Sequence, residues 1–123
     1  MNPVVTTTDD DDSDPPAGTL RGELEKACWG RTVTFNLPDP GPNIIMLGAP
    51  LGLDKDVTIQ GPDDGVVISG DDTFPIFFVN PGVDATLDRL TIEHGANDSG
   101  GGINNEGTLT IRNSTLSENQ AGW

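Results

Sequence analysis

The sequence predicts an all-β fold: a right-handed, single-stranded parallel β-helix of about 24 residues per coil, with a short N-terminal capping helix. Three observations carry this. Apolar residues recur at a step of 24: Ile44, Ile68, Ile92 and Leu116 follow one another so, as do Leu53 and Phe77, Val79 and Ile103, and Leu87 and Ile111. Phe35 and Ile59 also stand 24 apart, and one step, Ile59 to Leu87, is 28. Around these columns apolar and polar residues alternate, the period of a strand with one face inward. Between the columns lie turn-rich stretches, and residues 31–123 contain none of the long 3.6-periodic runs that a helical repeat needs.

Taken in order, residues 1–30 read as an N-terminal cap and 31–123 as coils. Val4-Val5-Thr6-Thr7-Thr8 is an extra edge strand, and Asp9 to Asp14 a solvated loop. Thr19 is a helix N-cap, Leu20, Leu24 and Ala27 form one apolar face over 19–27, and Gly30 is the stop. The open end of a β-helix exposes apolar core and unpaired strand edges, and a helix laid across it hides both. Cys28, the single cysteine, allows no intrachain disulfide and fits a small buried residue under the cap.

The first column places Val33/Phe35, Val57/Ile59, Ala85/Leu87 and Leu109/Ile111 inward. Outward stand Thr34, Thr58, Thr86 and Thr110, expected to form a threonine ladder with about 4.8 Å between coils. The second column is Val66 to Ser69, Leu90 to Ile92 and Ser114 to Leu116, with Ile44, Ile68, Ile92 and Leu116 as one internal stack. The third is Ile76 to Val79, followed by Ile103; its register is open by one residue because 76–79 is apolar throughout. Columns one and two are nine residues apart in the first two coils (Phe35 to Ile44, Ile59 to Ile68) and five in the next two (Leu87 to Ile92, Ile111 to Leu116). The long connections, with Pro38-Asp39-Pro40-Gly41-Pro42 and Gly61-Pro62-Asp63-Asp64-Gly65, are loops that stack at one corner. In the short ones Arg89 and Asn113 fall at the bend, where asparagine tolerates a left-handed backbone.

Composition narrows the function. Leu, Ile, Val and Phe supply 30 of 123 residues, enough for a thin, repetitive core. The formal net charge of −14 disfavours nucleic acid, whose binders need a basic stripe, and anionic membrane surfaces; it suits solubility, divalent cations or cationic partners. No stretch is long and apolar enough to span a membrane, and the first residues carry no signal-peptide pattern.

The segments GTLRGELEKACWGRTVTF (18–35), LDKDVTIQGP (53–62) and GGGINNEGTLTIRNSTLSENQAG (100–122) resemble bacterial β-helix surface proteins related to the polymorphic outer membrane protein repeats. Gly100-Gly101-Gly102-Ile103 is similar to the GGA-I element of that family, with Gly for Ala, and Leu116-Ser117-Glu118-Asn119 to its F-x-x-N element, with Leu for Phe. The resemblance covers nearly the whole chain and implies export, surface display and, for some members, adhesion.

The chemistry-bearing constellations are few. Asp88 and Arg112 fall side by side on the outward face of column one and read as a cross-strand charge pair rather than as part of a lyase site. No coil gathers the paired carboxylates of a glycoside hydrolase, and one Cys and one His make no zinc site. His94 reads as an exposed turn residue. No cofactor is expected; calcium at Asp63/Asp64 or Asp71/Asp72 is the one loose candidate, since no calcium-loop pattern is matched. The expected function is therefore a non-enzymatic, secreted or cell-surface β-helix scaffold, adhesin-like, meeting an unknown surface ligand or glycan. Its ligand-facing loops would carry Asp39, Asp63 and Asp64, beside the outward threonines. The alternative is the N-terminal part of a polysaccharide-degrading, pectate-lyase-like enzyme whose site lies beyond residue 123. Nothing after Leu116 resembles a cap, so the last coil is expected to continue into further coils or to self-associate.

Overall fold

The computed structural model of the protein describes residues 3–10, 18–27, 30–37, 43–63, 65–73, 75–97, 102–117 and 119–121. The chain opens with strand β1 (Val4–Val5) and helix α1 (Leu20–Lys26). Thr19 is the N-cap, its hydroxyl accepting from the Gly22 amide at 3.0 Å, which satisfies one of the free N–H groups of the first turn. Leu20 and Leu24 are buried and join one continuous core with Val5, Val33, Ile45 and Leu51. The edge strand is shorter than the expected 4–8. It pairs in parallel with the first coil, Val4 opposite Thr34 and Val5 opposite Phe35, and the Thr6 amide then turns to the Gly18 carbonyl.

The first coil holds β2 (Arg31–Phe35), β3 (Asn43–Met46) and β4 (Leu51–Leu53), and the second β5 (Val57–Gln60), β6 (Val66–Ser69) and β7 (Phe77–Val79). The third holds β8 (Asp84–Asp88), β9 (Leu90–Glu93), β10 (Ala96–Asn97) and β11 (Ile103–Asn105). A fourth opens with β12 (Thr108–Arg112), β13 (Thr115–Ser117) and β14 (Gln120–Ala121). Every pairing among these strands is parallel and joins one coil to the next. The sheets run β1-β2-β5-β8-β12, β3-β6-β9-β13, β4-β7-β11 and β10-β14, which is the expected three-faced solenoid of about 24 residues per turn.

The period holds, while several individual steps shift. Ile45, not Ile44, pairs with Ile68, so the second-column stack is Ile45, Ile68, Ile92 and Leu116. Ile44 faces outward and is 51% exposed, whereas Ile45 is fully buried. Two adjacent isoleucines gave the sequence pattern no means of choosing between them. Leu116 keeps its register under Ile92 but is 45% exposed, because no coil among the described residues covers its far side.

In the first column Val33, not Phe35, lies opposite Ile59, and Phe35 packs beside Val5 in the cap instead. In the third column Leu51 pairs with Phe77 and Phe77 with Ile103, so both steps are 26 rather than 24. That register puts Phe77 and Val79 inward and turns Phe78 outward.

Tight corners close the coils. Arg89 and Asn113, both expected at the bend, have φ of 57° and 51°; the left-handed backbone foreseen for asparagine is adopted by the arginine as well. His94, Asp71 and Asp72 adopt the same conformation at other corners. Gly61 lies directly above the Arg89 bend: its amide donates to the Asp88 carbonyl at 2.8 Å, and a Cβ there would collide with the Arg89 carbonyl oxygen.

Asp10 departs most from expectation. It is not solvated: its carboxylate is 2% exposed, accepts from Arg21 Nε at 2.9 Å and Nη2 at 3.0 Å, and takes the Gly48 amide at 2.8 Å. Arg21 also donates to the carbonyls of Ala49 (2.6 Å) and Pro50 (2.9 Å). This ion pair ties the N-terminal segment and α1 to the β3–β4 corner. Asp11 to Asp14 and Cys28 lie outside the described residues.

Two measurements test this packing. Ile45→Ala should lower unfolding stability by about 2–5 kcal/mol, against under ~1 kcal/mol for Ile44→Ala, in denaturant melts. Equal losses would refute the assigned register. Asp10→Asn leaves the Arg21 guanidinium without its partner charge and should cost on the order of 3 kcal/mol. A parent-like melt would show that the ion pair does not hold the cap.

Candidate functional site

The corner between the first and second columns gathers the exposed polar groups of three coils. Leaving β5, the chain turns through Gly61-Pro62-Asp63, and the Gly65 amide donates back to the Pro62 carbonyl at 2.8 Å. Gly65 has φ +81°, a conformation that strains any L side chain. The turn carries Asp63 out over the next coil, where it is 99% exposed and meets Arg89 Nη1 at 3.1 Å. Arg89 reaches it because its left-handed backbone at the β8–β9 bend swings the side chain off the sheet. So exposed a pair adds under about 1 kcal/mol of stability. It does place a donor and an acceptor on the solvent side of the corner.

Below this pair Asp63, Gly65, Arg89, Leu90, Thr91, Asn113 and Thr115 line an open cleft of about 430 Å³. Thr91 and Thr115 are register partners on neighbouring strands, so their hydroxyls form a short ladder along its wall. Ser114 accepts from the Leu90 amide at 3.1 Å, and Asn113 donates to Asp88 Oδ1 at 3.2 Å, which fixes the floor. The arrangement offers hydroxyls, an amide and a guanidinium on a rigid frame, suited to hydrogen-bonding an extended polar ligand.

The expected site residues fare unevenly. Asp63 is in the cleft; Asp39 and Asp64 lie outside the described residues, as does the loop 38–42, so the stacking of the two long loops is not described. The threonine ladder exists with one change: Thr32, not Thr34, lies beside Thr58, followed by Thr86 and Thr110, while Thr34 faces Val4. Thr32 was missed because the two-residue shift of Val33 against Ile59 moves every partner in β2. Asp88 is beside Arg112 in register, yet it is 7% exposed and its side-chain hydrogen bond comes from Asn113, a structural placement. His94 is half-buried, with Nδ1 3.0 Å from Asp72 and Nε2 3.3 Å from Glu93. Among the described residues no three His, Cys, Asp or Glu side chains converge as metal ligands.

The elements that carry the family resemblance meet one another. Asn119 accepts from the Gly95 amide at 2.8 Å and donates to the Ile92 carbonyl at 3.0 Å, pinning its coil to the one before. It packs against Gly102, where a Cβ would come within 2.9 Å of its amide nitrogen. A second concavity, of about 430 Å³, lies between α1 and the β4–β5 turn, lined by Arg21, Leu24, Glu25, Leu51, Gly52, Asp54 and Lys55. No motif in the sequence marked it, because its walls come together only when the helix docks.

Comparison of the chain with protein-family models, with curated proteins and with solved structures gave no match. The resemblance to bacterial surface β-helices thus rests on the quoted segments alone. No helix among the described residues is long and apolar enough to cross a membrane.

A glycine at position 89 would adopt the left-handed bend without strain. Arg89→Gly should therefore melt within about 1 kcal/mol of the parent despite losing its ion pair. A loss of several kcal/mol would mean that the side chain, not the bend, holds the corner.

Proposed function

We propose that the protein is a non-enzymatic β-helix scaffold, secreted or displayed at a cell surface, that binds an extracellular ligand in an adhesin-like manner. The observation that supports this best is the polar cleft under Asp63 and Arg89, built on the corner where the coils differ in length. A solenoid keeps its strands in fixed register and can vary only at its corners, so insertions there alter the surface without disturbing the core. The net charge of −14 points away from nucleic acid and anionic membranes as partners. Export and display follow from the resemblance of 18–35, 53–62 and 100–122 to surface β-helices.

Removing residues 62–65 shortens this corner from nine residues to the five of the later coils. The shortened chain should keep the β circular dichroism of the parent. On arrays of glycans and extracellular-matrix proteins it should lose the signals the parent gives. If the parent's signals persist unchanged, the corner is not the binding face.

A further inference from the structure

The two ends of the solenoid differ. At the first, Leu20 and Leu24 of α1 are buried against the first coil, and the edge strand β1 is only two residues long. At the other, β12 is the last strand of its sheet, and its outer edge is unpaired among the described residues. Ile111 and Leu116 are 39% and 45% exposed there. With the half-buried Ile103 and Leu109 they line an open hollow of about 410 Å³.

The hydrogen bonds of β12 determine what that edge offers. The Thr108 amide donates to the Val83 carbonyl at 2.8 Å, and the Arg112 carbonyl accepts from the Arg89 amide at 3.2 Å. Along a strand the bonding direction alternates residue by residue, so Thr108, Thr110 and Arg112 bond toward β8. The N–H and C=O groups of Leu109 and Ile111 then point to the free edge. An unpaired edge of this kind is a template for another strand.

The strand that fits it best is β12 itself. Turned about a twofold axis through Thr110, a second β12 lies antiparallel to the first. Leu109 then stands opposite the partner's Ile111, and Ile111 opposite the partner's Leu109. Both are pairs in which the two residues exchange N–H and C=O, so the free groups of both strands are satisfied together. The axis keeps inward side chains inward, and the two open layers close on each other as one apolar core. On the outer face Thr110 meets the partner's Thr110, and Arg112 meets the partner's Thr108, so no like charges are opposed. The chain as a whole carries −14, but residues 102–117 hold one glutamate, Glu106, and one arginine, Arg112, and sum to zero. This end can therefore approach a copy of itself without the repulsion that the rest of the surface would impose. Because α1 covers the opposite end, head-to-tail stacking is blocked and the assembly closes at two.

We propose that the protein forms a twofold dimer through the free edge of β12, with the Thr110 pair on its axis. The pairing does not depend on a ligand at the Asp63–Arg89 corner, so either reading can fail without the other.

Sedimentation equilibrium of the 123-residue chain tests this. It should show monomer and dimer, nothing larger, with a dissociation constant of about 100 µM or tighter. Ile111→Lys puts a charge into the closed layer at a position already exposed in the single chain. It should keep the parent's circular dichroism and weaken dimerisation about tenfold or more. Register is read by cross-linking in a Cys28→Ala background. A non-hydrogen-bonded antiparallel pair sets its Cα atoms about 4.5 Å apart, within disulfide range, so Thr110→Cys should give a linked dimer on mild oxidation. Thr86→Cys, on the inner strand β8, should not. A chain that stays monomeric up to about 1 mM overturns the proposal. So do assemblies larger than a dimer, cross-linking no faster at position 110 than at 86, or a folded Ile111→Lys variant that dimerises like the parent.

Discussion

The parallel ladder between coils is the constraint on which the rest of this structure depends. Each strand satisfies its backbone groups on the strand one coil earlier, so a side chain's neighbours above and below are set by register and not by local sequence. An inward position must then be apolar in every coil. The stacks Val33-Ile59-Leu87 and Ile45-Ile68-Ile92 are fully buried because each member covers the next. The same ladder leaves the last described layer half-covered, which is why Ile111 and Leu116 are exposed while their register partners Leu87 and Ile92 are not.

Keeping that register moves all variation in length to the corners. Successive partners are 26, 28 and 24 residues apart along the first column, 23, 24 and 24 along the second, and 26 and 26 along the third. The extra residues appear as loops such as 61–65, and the missing ones as bends at Arg89 and Asn113. A left-handed bend at a residue other than glycine costs about 1 kcal/mol. The described bends bring compensating contacts: Arg89 meets Asp63, Asn113 meets Asp88, and His94 meets Asp72. Part of the acidity of the chain is thus spent at corners on local partners.

These facts explain what could be read from the sequence. The period, the three faces and the bends at Arg89 and Asn113 were legible, since alternation and turn chemistry are local and repeat. Registers were legible where one apolar residue stood between polar ones, as at Ile92 and Leu116. They failed where two candidates were adjacent, as at Ile44 and Ile45, or where corners of unequal length intervened, as between Leu51 and Phe77. Of the candidate site, the corner was visible from its Gly and Pro content. The cleft under α1 was not, because nothing in a sequence pattern tells which side of a helix meets Gly52.

The misjudged Asp10 shows how charge divides between frame and surface. A run of acidic residues reads as solvated, yet one member is the buried partner of Arg21 and fixes the helix to the β3–β4 corner. Arg21 is held by Asp10 and by the Ala49 and Pro50 carbonyls, and Lys55 by the Ala27 and Glu25 carbonyls, so both cations beside the helix are fixed in place by the fold. At the other corner the reverse holds: Arg89 is 43% exposed and its partner Asp63 is almost wholly in solvent, so either group can exchange that contact for a ligand with little loss of stability. The two concavities are of equal volume but differ in how tightly the fold holds their charges.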